Sequence, residues 1–255
     1  MPVGNSEKGV GLWAGQVMFS SDQMVDYIDW FHGPLRGDDE QRDHKGNMVS
    51  SLLNPKLTIG ITNYWNLTLG TTIGQRSMGW KSGFNSIHHR DESTSTDFNN
   101  SIGGYLGDSK IIANYLVFND GQGIGKRFYL GGGLVIPSKN TLTSDPFFLS
   151  GEEKEQHRHF SLSEGVYKSI FETQYFLKRN TNPVFIGGVF TLTSSLMENK
   201  YGFKSGTVYD VALTGITKEI VRLKGALGGS INIQKNTGSF WNGKLAPNSK
   251  STILV

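Results

Sequence analysis

Apolar and polar residues alternate with a period of two in segments that recur along the whole chain. They predict strands near 9–19, 55–63, 65–80, 101–118, 127–137, 160–178, 184–195, 207–217 and 221–235. In 221–235 the odd positions Val221, Leu223, Gly225, Leu227, Gly229, Ile231 and Ile233 are apolar or glycine. The even positions Arg222, Lys224, Ala226, Gly228, Ser230, Asn232 and Gln234 are polar or small. In 55–63, Leu57, Ile59 and Ile61 oppose Lys56, Thr58 and Thr62, and in 101–118, Ile111, Ala113, Tyr115 and Val117 oppose Asp108, Lys110 and Asn114. Val184, Ile186, Phe190 and Leu192 share a face opposite Phe185, Val189, Thr191 and Thr193. Segment 160–178 mixes its faces more, with Glu164, Val166, Lys168, Ile170, Glu172, Gln174 and Lys178 against Tyr167, Phe171, Tyr175 and Leu177.

Long and short connections alternate strictly between these segments. The long ones are 20–54, 81–100, 138–159 and 196–206; the short ones are 64, 119–126, 179–183 and 218–220. A half-buried sheet in water also alternates, but it has no reason to keep its long loops at one end. Transmembrane barrels have tight periplasmic turns and long outer loops. The expected strands also exceed the roughly 5–6 residues usual in globular sheets. Aromatic residues lie near their ends, at Tyr64-Trp65, Trp80, Phe118, Phe128-Tyr129 and Tyr175-Phe176, as interfacial girdles require. The expected fold is therefore all-β: an antiparallel, up-and-down transmembrane barrel forming one domain over 1–255. An odd strand number leaves an open edge in lipid, and Ser251–Val255 reads as the opening of a tenth strand. We therefore expect a chain cut short at its C-terminus, with twelve strands in the intact protein.

Composition fits this reading. A mean hydropathy of −0.32 is what a barrel gives when only alternate residues face lipid. No apolar run approaches the roughly 18 residues of a spanning helix. The absence of cysteine excludes disulfides and thiolate metal sites, and a net charge of +3 without basic clusters gives no nucleic-acid signal. Met1–Asn5 lacks the basic and apolar regions of a signal peptide, so a removed leader is expected.

Asn54-Pro55-Lys56-Leu57-Thr58-Ile59-Gly60-Ile61-Thr62-Asn63, followed by Leu67-Thr68-Leu69-Gly70, resembles the early hairpin of the phenol-degradation-pathway outer-membrane transporter family. In that family a Gly-Ile-Thr turn joins strands two and three. Leu130-Gly131-Gly132-Gly133-Leu134-Val135-Ile136-Pro137-Ser138 is similar to its Gly-Leu-Lys-Leu-Pro-Thr-Gly strand end, and Asp210–Gly215 adds a third likeness. The likeness spreads over residues 50–235 in short motifs. It implies an outer-membrane channel for small solutes, hydrophobic or aromatic ones among them.

Charges on the polar face are the candidate site: Arg76, Asp108, Lys110, Arg127, Glu164, Lys168, Glu172, Asp210, Arg222 and Lys224, with Lys56 towards the periplasmic rim. Such charges set the preference of a pore, or pair with each other and plug a narrow lumen. His157-Arg158-His159 has the two-apart spacing of a metal pair, and His88-His89-Arg90-Asp91-Glu92 is a second charged stretch. Both read foremost as solvated loops, and we expect no metal and no cofactor. Arg36-Gly37-Asp38 reads as a chance triplet in a polar loop that would otherwise meet divalent cations or lipopolysaccharide. Ser86 near His88 and Ser161 near His159 lack an orienting motif, and Gly121–Gly125 has no following helix to cradle phosphate. No enzyme is expected. The expected function is passive transport of small solutes across a bacterial outer membrane. The partners are outer-membrane lipid and lipopolysaccharide, the barrel-assembly machinery and the solute, with no nucleic acid. The alternatives are a structural or adhesion barrel with a plugged lumen and working outer loops, and a soluble β-protein that binds a ligand inside.

Overall fold

The computed structural model of the protein describes residues 12–33, 43–83, 97–99, 104–120, 123–143, 161–222, 224–246 and 252–254. Every regular element among them is a strand. These are β1 (Val17–His32), β2 (His44–Gly60), β3 (Trp65–Trp80), β4 (Asp97–Asn99), β5 (Leu106–Asn119), β6 (Gly125–Ile136) and β7 (Lys168–Lys178). They continue with β8 (Phe185–Ser195), β9 (Phe203–Lys204), β10 (Val208–Ile216), β11 (Gly228–Asn236), β12 (Phe240–Trp241), β13 (Lys244–Leu245) and β14 (Thr252–Leu254). One antiparallel sheet runs β1-β2-β3-β5-β6-β7-β8-β10-β11-β14, with β4 beside β3. Each long strand pairs with its neighbour in sequence, and the sheet curls into an open half-barrel. Among the described residues, β1 pairs with β2 alone and β14 with β11 alone.

The register decides which residues share a face, because partners across a ladder lie on the same side. One row reads Val17, Ile59, Leu67, Ala113, Gly132, Phe171, Leu192, Tyr209. Another reads Trp65, Tyr115, Leu130, Thr173, Phe190, Val211, Ile233. This apolar face is the convex one, and Phe19 at 69%, Leu213 at 52% and Ile231 at 58% are open on it. The concave face holds Ser50, Thr58, Asn66, Thr68, Asn114, Glu172 and Gln174, all buried. It also holds apolar clusters: Ile112, Val135 and Ile170; Leu116, Tyr129, Phe176 and Val189; and Met78 packed by Trp30, Met48 and Trp80.

The alternation expected in 65–80, 101–118, 184–195 and 207–217 is present, with boundaries moved by a few residues. The strand expected at 160–178 starts only at Lys168, and two larger expectations fail. Residues 20–54, expected as one long loop after a strand at 9–19, contain most of β1 and the first half of β2. Asp22, Asp26 and Asp29 interrupt the alternation there, but Asp22 pairs with Lys56 and Asp29 with Lys81, so the hairpin tolerates them. The strand expected at 221–235 starts only at Gly228. The chain instead closes a tight turn, with Ile220 N–H donating to Gly225 O and Lys224 at φ 47°. The connection 217–227, expected as a short one, is thus as long as 33–43, and the strict alternation of long and short connections fails there.

Elsewhere it holds. The strand ends that flank 81–105, 137–167, 196–207 and 237–251 lie at one end of the sheet, and those that flank 61–64, 120–124 and 179–184 at the other. At the short end Tyr64 and Trp65 pack around Tyr115, with ring centroids 6.4 and 4.9 Å away, as a girdle would. Trp80, Tyr129 and Phe176, expected in girdles, instead turn to the concave face.

Gly131-Gly132-Gly133 in β6 offers a test of the packing. A Cβ at Gly133 would lie 2.2 Å from Ile111 O, whereas one at Gly132 on the convex face meets nothing closer than 3.8 Å. Gly133→Ala is expected to destabilise by about 1–3 kcal/mol through overpacking, while Gly132→Ala leaves stability unchanged or slightly raised. Urea unfolding of the folded protein, followed by tryptophan fluorescence, separates the two.

Candidate functional site

Among the described residues the concave face is a broad polar surface that the sheet shields, and its register sorts the side chains into levels. One level crosses seven strands: Asn66 (β3), Asn114 (β5), Gly131 (β6), Glu172 (β7), Thr191 (β8), Asp210 (β10) and Gln234 (β11). Strands lie about 4.8 Å apart, so these groups form a belt of amides, hydroxyls and two carboxylates. Glu172 is 1% exposed. Gln174 Nε2 donates to its Oε1, and the Thr191 hydroxyl to its Oε2. With its amide turned to donate, Asn232 reaches both Asp210 oxygens at 3.3 and 3.2 Å. Gly131 leaves room for Asn114, whose Oδ1 occupies the space a Cβ would fill. The Ile112–Val135–Ile170 cluster lies to one side of this belt and the Leu116–Tyr129–Phe176–Val189 cluster to the other. A buried carboxylate requires such partners, because an unpaired one is costly in a low-dielectric interior.

Nearer the long-connection end the face becomes charged. Lys56, Lys110 and Lys168 share a level with Gly70 and Val135. Lys56 Nζ lies 3.0 Å from Asp22 Oδ2, and Lys168 pairs with Glu164. Residues 107 and 108 sit opposite Thr72 where the β3–β5 register shifts. Such a bulge re-aims side chains, and here Asp108 meets the Ser163 hydroxyl and the Ser138 backbone, with Lys168 and Glu164 close enough to act on it electrostatically. Arg76 shares a level with Ser50 and Asp26, and its Nη1 donates to Ser161 O at 2.8 Å. A recess of about 330 Å³ lies among Asp22, Asn54, Lys56, Thr72, Asp108 and Lys110.

Eight of the ten expected site residues therefore stand on or beside this face. Arg76, Asp108, Lys110, Lys168, Glu172 and Asp210 line it, and Glu164 reaches it through Lys168. Arg127 joins it at the short-turn end, where its Nε donates to Asn119 Oδ1 at 3.4 Å. Arg222 and Lys224 do not belong. Both are exposed in the 220–225 turn, because the alternation of 221–227 continues through a turn tip rather than along a strand. The sequence reading missed Asp22 and Asp26, which lay in its long loop. It also passed over the uncharged belt of Asn66, Asn114, Thr191, Asn232 and Gln234, although their polar-face parity was visible. His88, His89, Arg36, Gly37, Asp38, His157, Arg158 and His159 lie outside the described residues.

The long-connection end is tied down by Asn140, which is fully buried. Its Nδ2 donates to Gly104 O, its Oδ1 accepts from Leu162 N–H at 2.9 Å, and its backbone O accepts from Ser163 N–H at 3.0 Å. Asn140→Ala removes two side-chain hydrogen bonds made from a fully buried position. It is expected to lower stability by about 1–3 kcal/mol and to loosen the contact between segments 138–143 and 161–166, read by limited proteolysis while the sheet stays intact.

Comparison with known proteins adds no relative to this geometry: no family model matches the chain, and no curated protein matches it either.

Proposed function

We propose that this chain forms an outer-membrane β-barrel that lets small solutes, hydrophobic or aromatic ones among them, pass down their gradient. The observation that carries the reading is the inverted polarity of the sheet, with apolar side chains on the open convex face and polar ones shielded on the concave face. Removing one large apolar side chain from water is worth about 1.5–3 kcal/mol. The convex face carries Phe19, Leu213, Ile231 and many more. Left in water, that surface would gain none of this stabilisation and would drive association, whereas lipid covers it. Lipid also demands that every backbone group be paired, which a closed antiparallel barrel achieves. A soluble ligand-binding barrel needs the opposite polarity. The long connections then face outward and the short turns inward, towards the periplasm.

The interior supports a narrow path rather than a wide aqueous pore. Apolar clusters flank the polar belt, so a solute meets greasy and hydrogen-bonding surfaces in turn. The same clusters favour a second reading, a plugged barrel that works through its outer end.

Planar-bilayer recordings of the protein refolded in lipid separate these. Discrete openings are expected, and exchanging Lys110 and Lys168 for Glu should move the reversal potential towards cation preference. A protein that inserts and migrates as a heat-modifiable band without ever conducting would establish the plugged reading. Membrane residence is tested independently by Leu213→Arg. The variant is expected to cost about 2–4 kcal/mol if Leu213 sits near the bilayer midplane, read from folding titrations into vesicles. A negligible effect there would sink the membrane reading.

A further inference from the structure

At the long-connection end a cleft of about 550 Å³ opens between segments 138–143, 165–167 and 197–201. Its size falls in the range of about 300–1,000 Å³ typical of small-molecule sites. The floor is built rather than incidental. Gly165 adopts φ +70°, and a Cβ there would lie 2.7 Å from Thr141 Oγ1 and 2.9 Å from Asn199 Nδ2, so three chain segments converge only because this residue is glycine. Asn199 holds the far wall: its Oδ1 accepts from Tyr201 N–H at 2.9 Å and Phe203 N–H at 3.0 Å, and its Nδ2 donates to Glu164 O at 3.3 Å. Leu196 N–H donates to Tyr167 O at 2.9 Å and ties the two connections together. The cleft is thus preformed, which spares a ligand the cost of ordering it.

Its lining has two parts. Val166, buried beneath, and Tyr167, Met197 and Tyr201 supply apolar surface. Lys139 and Lys200 supply two ammonium groups against one carboxylate, Glu198. Among the described residues neither lysine forms an ion pair, and Lys200 Nζ lies 4.8 Å from the Tyr201 ring centroid, a contact that holds the charge beside the apolar wall.

We infer that this cleft is a capture site for a small amphipathic organic anion, a compact apolar body carrying one carboxylate. The apolar body packs on Val166, Tyr167 and Met197, and the carboxylate meets Lys139 and Lys200. The cleft lies at the long-connection end, beyond the charged level that Lys168 heads, and in the channel reading that is the end at which a solute enters. The inference rests on the solute-channel reading and names the solute class for it.

The test uses the protein refolded in lipid nanodiscs and titrated with benzoate, and with benzyl alcohol as its uncharged counterpart, by saturation-transfer difference NMR against empty nanodiscs. Benzoate is expected to bind saturably and benzyl alcohol about tenfold more weakly, and the double variant K139Q/K200Q should lose about tenfold for benzoate alone, the size of one net charge contact. Met197→Trp, which fills the cleft, should abolish binding of both. Equal binding of the two probes, unaltered benzoate binding by K139Q/K200Q, or no saturable binding above empty nanodiscs would each overturn the inference. Heat-modifiable migration of the same samples reports the barrel, and bilayer conductance reports the pore. A conducting barrel that does not discriminate the probes therefore refutes the capture site alone, whereas a chain that does not insert refutes both readings.

Discussion

A single constraint runs through this structure: the parity of side chains must stay in phase from strand to strand. In an antiparallel ladder a one-residue slip would send every side chain of a strand to the opposite face. Here the phase persists from β1 to β11, through eight successive ladders. The two places where it would drift, opposite Thr72 in β5 and around Val117, are absorbed by local register shifts that return the chain to the same face. The inverted polarity and the cross-strand belt follow from that continuity, as does the charged level above the belt. None of them would survive a frame error in one hairpin.

The interior that results is layered. Each apolar cluster seals a polar level from the next, and the sealing makes the polar groups matter. Glu172 lies at 1% exposure between two such clusters, where electrostatic interactions are stronger than in water. Its hydrogen bonds from Gln174 and Thr191 come from its own and the next strand, so the charge is supported by the wall itself. The long-connection end is organised on another principle. There only the short β9–β12–β13 sheet supplies a ladder, and single amide side chains, Asn140 and Asn199, take over much of the remaining backbone pairing.

Legibility in the sequence follows the same division. Where one face is largely apolar, as in β8, β10 and the first half of β3, the period of two locates strand and face together, and β3 matches its expected span of 65–80. Where a hairpin carries charge on both faces the signal fades, and β1 was hidden behind Asp22, Asp26 and Asp29. The reverse error arose at 221–227, where Val-Arg-Leu-Lys keeps a strand's alternation while the backbone turns back on itself. Eight candidate charges were recoverable because charge on a polar face stands out. The neutral belt was not singled out, since Asn, Gln and Thr acquire meaning only when the register sets them side by side. The cleft residues were invisible for a different reason: they come from two aperiodic connections joined only in three dimensions.

The glycines of the concave wall have one more effect. Asn114 leans over Gly131, Ile112 over Gly133, and Phe176 and Phe185 over Gly187, each in the volume a Cβ would claim. These side chains therefore lie tangentially along the wall instead of pointing radially towards the axis. A lining laid flat is thin, so the side-chain layer on the concave face is shallower than residue sizes alone imply, and its depth is set by where side chains are missing rather than by those present.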